Sequence, residues 1–324
     1  MTEFSMDYKL TDWMSHLPAS CVQTPLDQLA IPGSHDTFSY TVSPSGDVGP
    51  DGPSYIKTLV RLFGTVGKNV LYHWSVTQSL NVSQQLQHGI RYLDCRVCWS
   101  SKTNDFRFLH GLIGATVSAC LDEVNVFLEK HPKEVVILDF NHFYSMSNTD
   151  HVNLLTLLTD KLGSKMYPYN EKVTVTLEKI WERNLQIICI YQNDIVKGNQ
   201  TFWPGATIRS LWANTPNIDV LMSVLEKKYM SGRHNNGFYS WQGVVTPSTC
   251  TVFCNICSSL KDLLDTKLAP VFVSWLRNKK TGINGINVCT MDFVEEANYI
   301  SNVIQLNYKS SQGVICYRGN QPPI

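Results

Sequence analysis

The sequence predicts an α/β chain folded as a (β/α) barrel, closed or slightly short of closure, and three observations predict it. Segments rich in β-branched and apolar residues alternate with segments of helical period, the pattern of βα units around a mainly parallel sheet. Seven or eight strands with interleaved helices in ~300 residues suit a barrel better than an open sheet. No Gly-x-Gly-x-x-Gly opens a helix after the first strand, which removes the usual mark of a doubly wound sheet. No linker or break in composition divides the 324 residues, so 1–324 reads as one domain.

Taken in order, strands are expected at 29–32, 89–97, 106–110, 135–140, 186–191, 238–245 and 286–292. A helix over 118–130 puts Leu121, Val124, Phe127 and Leu128 on one face and stops before Pro132. A second, over 150–162, carries Leu154, Leu155, Leu158 and Leu162 and ends at Gly163. A third, over 295–307, repeats the pattern with Tyr299, Ile300, Val303 and Ile304. Residues 43–54, rich in Pro, Gly and Asp, form a loop. The loop leads into 55–74, where Leu59, Val60, Leu62, Phe63, Val66, Val70 and Leu71 mix with Lys57, Arg61 and Lys68. That segment reads either as an amphipathic element touching a membrane surface or as a helix on the barrel flank, interrupted at Gly64 and Gly67.

Composition sets the bounds. With 43% hydrophobic and 17% charged residues the chain can bury a sizeable core. Lys+Arg and Asp+Glu are both 27, so net charge gives no case for a nucleic-acid partner. Residues 1–10 carry Glu3, Asp7 and Lys9 with no apolar stretch of a secretory leader, and the longest apolar runs, 135–138 and 187–190, are far below the ~18 residues of a spanning helix. Ten scattered cysteines suit a reduced compartment, and a cytoplasmic protein without transmembrane segments is the expectation. Two Cys-x-x-Cys spacings, Cys95/Cys98 and Cys254/Cys257 with Cys250 nearby, are read as ordinary buried thiols rather than zinc ligands. Residues three apart in a strand face opposite ways, and the second pair has no neighbouring histidine.

Three stretches carry chemistry. The run Leu29-Ala30-Ile31-Pro32-Gly33-Ser34-His35-Asp36-Thr37 looks like a strand that delivers a titratable pair to the mouth of a site. In Gly89-Ile90-Arg91-Tyr92-Leu93-Asp94-Cys95-Arg96-Val97, alternation puts Tyr92, Asp94 and Arg96 on one face. A carboxylate and a guanidinium inside an apolar strand are costly unless paired or used. Arg96 is therefore an internal ion-pair member or a fork awaiting phosphate oxygens. Phe108-Leu109-His110-Gly111 places a second imidazole at a strand end, and two histidines near neutrality can divide proton removal from proton donation. Asp292, at the end of a late strand, lies beside the first strand if the barrel closes. There it orients His35, caps the helix that follows, or does both.

Pro32-Gly33-Ser34-His35-Asp36-Thr37, Gly89-Ile90-Arg91-Tyr92-Leu93-Asp94-Cys95-Arg96 and Leu109-His110-Gly111 occur in the order of the phosphatidylinositol-specific phospholipase C X domain, which the chain resembles over 13–308. Trp74-Ser75-Val76-Thr77-Gln78, Leu138-Asp139-Phe140-Asn141-His142-Phe143, Trp203-Pro204-Gly205 and Trp212-Ala213-Asn214 resemble the small eukaryotic proteins with that domain alone. The resemblance implies a distorted, often incomplete TIM barrel and cleavage of phosphatidylinositol to diacylglycerol and inositol cyclic phosphate, or the phosphate if it hydrolyses further. It implies His35 as general base on the inositol 2-hydroxyl, Arg96 against the charge on the phosphoryl oxygens and His110 as general acid. Asp292 would orient the base and Asp36 support the acid.

Calcium-dependent relatives have Asn after the first histidine, Glu-x-Asp on the second strand and a further Glu on the fourth. Here those places read Asp36, Asp94-Cys95-Arg96 and Asn141, so the resemblance sides with metal-independent bacterial enzymes and no cofactor is expected. Bacterial relatives grip inositol with Lys and Arg where this chain has Asn141 and Gln192, so Asp94, Asn141 and Gln192 are the expected head-group contacts. Segment 55–74 occupies the place of a membrane-contacting helix in those relatives, which implies peripheral contact with a phospholipid surface. Two alternatives are a catalytically weak barrel that binds inositides or a partner, and a metal-dependent glycerophosphodiesterase, which Arg96 fits poorly.

Overall fold

The computed structural model describes residues 10–52, 54–233 and 237–312, and its ten strands form one sheet. They are β1 (Ile31–Ser34), β2 (Tyr92–Ser100), β3 (Asp105–His110), β4 (Leu112–Thr116), β5 (Val136–Tyr144), β6 (Ile187–Tyr191), β7 (Trp203–Pro204), β8 (Ile208–Leu211), β9 (Phe238–Gly243) and β10 (Val288–Met291). The main path runs β7-β6-β5-β2-β1-β10-β9-β8, and every pairing along it is parallel. β7 and β8 follow one another in the chain, yet no ladder joins them among the described residues. The sheet thus curls into a barrel with a seam, the incomplete α/β barrel expected.

The strands form where the sequence stays apolar on both faces, as a covered parallel sheet requires. Every residue of β6 and of β10 is buried. Helices wrap the outside: α1 (Ala19–Val22), α2 (Ser54–Ser75), α3 (Val82–Gln87), α4 (Val117–Lys130), α5 (Asn148–Leu162), α6 (Leu177–Glu182), α7 (Ile218–Ser231), α8 (Thr249–Cys254), α9 (Thr266–Leu276) and α10 (Tyr299–Gln312). α4 buries Leu121, Val124, Phe127 and Leu128 as its period predicts, with Thr116 accepting the Ala119 N–H at its start. α5 starts at a capping box between Ser147 and Asp150 and ends at Leu162; Gly163 there is right-handed and continues into a 3-10 turn. Outside β2, Arg91 and Glu134 form a fully buried pair at 2.7 Å.

Four expectations are corrected. The strand over 106–110 is not part of the parallel barrel: β3 runs antiparallel to β2, and β4 antiparallel to β3. Strand period carries no direction, and β2 is long enough to overrun the barrel and fold back through a turn at Asn104 (φ 56°). The hairpin pairs Val97 with Phe108 and so returns His110 to the level of Cys95, at the mouth. Helix α2 breaks at Gly64 (φ 53°, ψ −124°) but runs through Gly67. Its last turns bury Val70, Leu71 and Trp74, while Leu62, Phe63 and Val66 are exposed; the side chains of Lys57 and Leu59 lie outside the described residues. Cys95 and Cys98 are buried thiols, but Cys250, Cys254 and Cys257 are exposed. Finally, Asp292 caps no helix: the turn Glu296–Asn298 begins at Glu295 without a side-chain cap.

Candidate active site

The C-terminal ends of β1, β2 and β10 lie side by side, and each supplies part of one cluster. β1 exits into His35 and Asp36. Asp36 sits in the left-handed region at φ 42°, a strained place for a non-glycine residue, and its N–H donates to Asp94 Oδ2 at 2.9 Å. The segment after α2 holds this turn in place. Gln78 Nε2 donates to the carbonyls of His35 (2.9 Å) and Met291 (3.0 Å), clamping the ends of β1 and β10 together. Thr77 Oγ1 donates to the His35 carbonyl at 3.2 Å.

The two imidazoles have opposite surroundings. His35 Nδ1 is 2.7 Å from Asp292 Oδ1, and its Nε2 is 2.8 Å from Arg96 Nη2. Asp292 accepts and Arg96 donates, so this geometry assigns the proton to Nδ1 and leaves a lone pair at Nε2. His110 Nδ1 is 2.7 Å from the Ser75 carbonyl, and its Nε2 is 3.3 Å from Asp36 Oδ2. Both of its nitrogens face oxygen acceptors, so Nε2 is placed to donate toward Asp36. The ring centroids are 6.5 Å apart at 77°. Asp36 Oδ2 faces both rings, 3.4 Å from His35 Nε2 and 3.3 Å from His110 Nε2, while Arg96 places its Nε 2.5 Å from Asp36 Oδ1 and its Nη2 3.6 Å from Asp94 Oδ2.

Electrostatics follow from burial and crowding. Burial opposes charge on His35, but Asp36 and Asp292 outweigh it, even against Arg96, and raise the imidazole to about 9. A second proton therefore competes with Arg96 for Nε2 at neutral pH. Burial also opposes charge on Asp94, yet Arg96, His35, the Asp36 N–H and the Asn141 amide hold it down to about 2. Burial pushes Asp292 up, and His35 pulls it partly back.

Of the residues expected from sequence, His35, Asp36, Asp94, Arg96, His110 and Asp292 meet in this cluster. Asn141 joins it by donating to Asp94 Oδ1 at 2.6 Å, and Gln192 lies one step away, donating to Asp139 at 2.9 Å. Asp139 itself was not expected. It accepts from Tyr92 Oη at 2.6 Å and stays near 6 because burial raises it while Tyr92 and Gln192 pull it down. Its signal was present, since it stands two residues before Asn141 on the same strand face. Ser75 acts through its backbone carbonyl and leaves no such signal. Asp265 is also unexpected: it is buried in the π-helical turn Lys261–Asp265, both carboxyl oxygens lack a hydrogen-bond partner, and burial and the Asp292 charge push it far up. One oxygen of Asp292, Oδ2, is likewise unpartnered.

His35, Asp36 and Asp94 are the one group among the described residues that brings three metal-ligating side chains close together. Arg96 pairs with both carboxylates of that group.

Residues 67–188 match the model for the phosphatidylinositol-specific phospholipase C X domain. The human PI-PLC X domain-containing protein 3 is 39% identical over 309 residues, covering 95% of this chain and 96% of that protein. Among solved structures, the phosphatidylinositol-specific phospholipase C of Listeria monocytogenes matches with a TM-score of 0.65 at 24% identity, covering 92% of this chain and 98% of that one. A mutant of the Staphylococcus aureus enzyme of the same name gives a TM-score of 0.67 at 15% identity, covering 94% and 99%. These two likenesses establish the shared barrel.

Proposed function

The chain belongs to the family of PI-PLC X domain-containing proteins, and from that membership and the geometry of its mouth we propose a phosphoric diester hydrolase that cleaves phosphatidylinositol. One observation carries the reading: the Nε2 atoms of His35 and His110 both face Asp36 Oδ2, at 3.4 and 3.3 Å, beside a guanidinium that also reaches His35 Nε2. His35 Nε2 removes the proton of the inositol 2-hydroxyl, whose oxygen attacks phosphorus. Arg96 pairs with the charge growing on the phosphoryl oxygens, and His110 gives its Nε2 proton to the departing diacylglycerol oxygen. Asp292 fixes the tautomer of His35, and Asp36 faces both histidines and the arginine. The attack is intramolecular, so positioning supplies much of the rate, and inositol cyclic phosphate is the first product.

Around the ring site Asp94, Asp139, Asn141 and Gln192 offer carboxylates and amides rather than a cluster of cations. That set suits the hydroxyls of an unphosphorylated inositol better than added phosphates. Calcium seeks six or more oxygens, whereas here the Asp36 and Asp94 carboxylates are engaged by a guanidinium. The residues do not fit that ion, and Arg96 takes its electrostatic role. No described helix is long and apolar enough to cross a membrane. Contact with the lipid is peripheral, through the exposed Leu62, Phe63 and Val66 of α2, a segment that begins beyond the first catalytic loop. Nine free thiols among the described cysteines suit a cytoplasmic location.

The test is purified protein with phosphatidylinositol vesicles in EDTA, beside His35→Ala and His110→Ala. Diacylglycerol released by the parent alone supports the reading; no release, or release only with added calcium, overturns it.

A further inference from the structure

We propose that Cys250, Cys254 and Cys257 are a site of S-acylation that fastens the rim of the barrel mouth to a lipid surface. The phospholipid reading above is needed only to say what the anchor serves. The modification itself rests on where α8 stands and what surrounds it.

α2 follows β1 and α8 follows β9, and β10 alone separates those two strands in the sheet. Both connections leave C-terminal strand ends, the same end of the barrel that holds His35 and Asp292. The two helices pack together there, with Val70 and Trp74 of α2 buried in one cluster with Val252 of α8 and Leu260. Both segments also carry exposed apolar side chains: Leu62 is 66% exposed, Phe63 59% and Val66 64% on α2, and Phe253 47% and Ile256 41% at and after α8. Exposed apolar side chains near a mouth suit contact with lipid.

The thiols sort sharply. Cys21, Cys95, Cys98, Cys120, Cys189 and Cys289 are buried, whereas all three exposed cysteines fall within 250–257. Burial pushes the Cys98 and Cys120 thiols up to about 12, which with their lack of access makes them inert, while those of 250–257 are open to a reagent. No metal claw claims them, because the close ligand group among the described residues is the one at His35. Exposed cysteines on and just after a short helix beside apolar side chains are where a long acyl chain could enter a bilayer once attached.

The acyl donor is a long-chain acyl-coenzyme A. A cysteine gives up its proton, and its thiolate attacks the thioester carbonyl. The bond from carbon to the protein sulfur forms, the bond to the coenzyme A sulfur breaks, and the coenzyme A thiolate leaves and takes up a proton. Nothing is oxidised or reduced. One acyl chain holds a protein only reversibly, but a chain together with an apolar patch beside it makes two signals, enough for stable attachment.

The full chain expressed in cultured animal cells with an alkyne-tagged palmitate tests this. The expected result is a label removed by hydroxylamine, mapped by mass spectrometry to 250–257, and lost in Cys250→Ser/Cys254→Ser/Cys257→Ser with a several-fold fall in the membrane-bound fraction. That variant should still cleave a short-chain, soluble phosphatidylinositol like the parent, which separates loss of the anchor from failure of the phospholipase reading. A parent that folds but carries no thioester at these positions overturns the proposal, as does a triple variant that labels as strongly as the parent. Recovery of Cys250 and Cys254, whose sulfurs are 3.6 Å apart, mainly as a disulfide also overturns it.

Discussion

Arg96 Nη2 lies 2.8 Å from His35 Nε2, on the opposite side of the ring from Asp292. An arginine donor at that nitrogen keeps a lone pair there, whereas the carboxylates of Asp36 and Asp292 favour a second proton. The imidazole is thus held between two opposed demands, and in the proposed reaction a phosphodiester that draws Arg96 toward its own oxygens would free Nε2 for the hydroxyl proton.

The raised value of His35 sets the pH dependence. Only the neutral ring accepts a proton, so kcat/KM should climb with pH through neutrality along an acidic limb set near 9. Asp292→Asn removes one of the two carboxylates that raise His35, together with its hydrogen bond. It should move that limb to lower pH while cutting turnover roughly 10²–10⁴-fold. Stability has a matching sign. His35 binds its proton more tightly folded than unfolded, so its contribution, on the order of 3 kcal/mol, is present below pH ~6.5 and lost as pH rises through about 9. A pH–rate profile of parent and variant decides the matter; an unmoved limb would falsify the assignment.

Gly111 follows His110 at φ 69°, and a Cβ there would collide with Ser75 Oγ and come within 3.0 Å of Leu71 Cδ1. Ser75 also supplies the carbonyl that takes the His110 Nδ1 proton. Gly111→Ala should therefore lose roughly 2–4 kcal/mol of stability, from left-handed strain and overpacking together, and lower turnover beyond what unfolding explains. Thermal unfolding and assay at a temperature where the variant stays folded check both halves. An unchanged melting temperature would show that the contact is relieved for free.

Much of this was legible in the chain. Strand period and apolar runs are local properties, so the barrel could be read, and motif order brought His35, Arg96, His110 and Asp292 to one mouth. What escaped was set by distance or direction. Nothing in Phe106-Arg107-Phe108-Leu109-His110 says that the strand runs backward; that follows from how far β2 outlasts the barrel. Asp265 looks like any acid on a helix until the packing of α9 buries it. Ser75 orients His110 through its main-chain carbonyl, and such a bond has no side-chain signature in a sequence.

Burial and the Asp292 charge raise Asp265 well above the ordinary carboxylate range, so it keeps its proton to higher pH in the folded protein than in the unfolded chain. An acid that holds its proton folded but releases it unfolded above pH ~3.9 makes stability fall as pH rises beyond that point. Asp265→Asn, of the same shape and without a titrating proton, should be more stable than the parent at pH 7 and nearly equal to it at pH 3.5. Urea unfolding at the two pH values measures the difference. Equal gains at both would mean that titration of Asp265 is not the cause.

The exposed half of α2 gives a prediction about surfaces rather than chemistry. Phe63→Ser and Leu62→Ser each remove a side chain that is more than half exposed, with little packing to lose. If lipid covers them, each should weaken binding to phosphatidylinositol-containing vesicles by about tenfold, from roughly 1–2 kcal/mol of lost apolar burial. Thermal stability should stay within about 0.5 kcal/mol. Cosedimentation with vesicles reads the binding directly, and unaltered partitioning of the double variant removes α2 from the lipid contact.

Two substitutions at Arg96 separate its charge from its shape. Its charge lowers the proton affinity of His35, and its fork spans Asp36, His35 and Asp94 at once. Arg96→Lys keeps the charge but not the fork, so the acidic limb should hold its place while turnover falls roughly 10²–10³-fold. Arg96→Gln loses both, so turnover should fall at least as far and the limb should move to higher pH, because the carboxylates then act on His35 unopposed. Neither variant should be rescued by calcium if the guanidinium and not an ion faces the phosphoryl group. A limb that shifts equally in both variants would show that position, rather than charge, governs His35. Recovery of Arg96→Gln by millimolar calcium would instead mean that the Asp36 and Asp94 oxygens suit a cation after all.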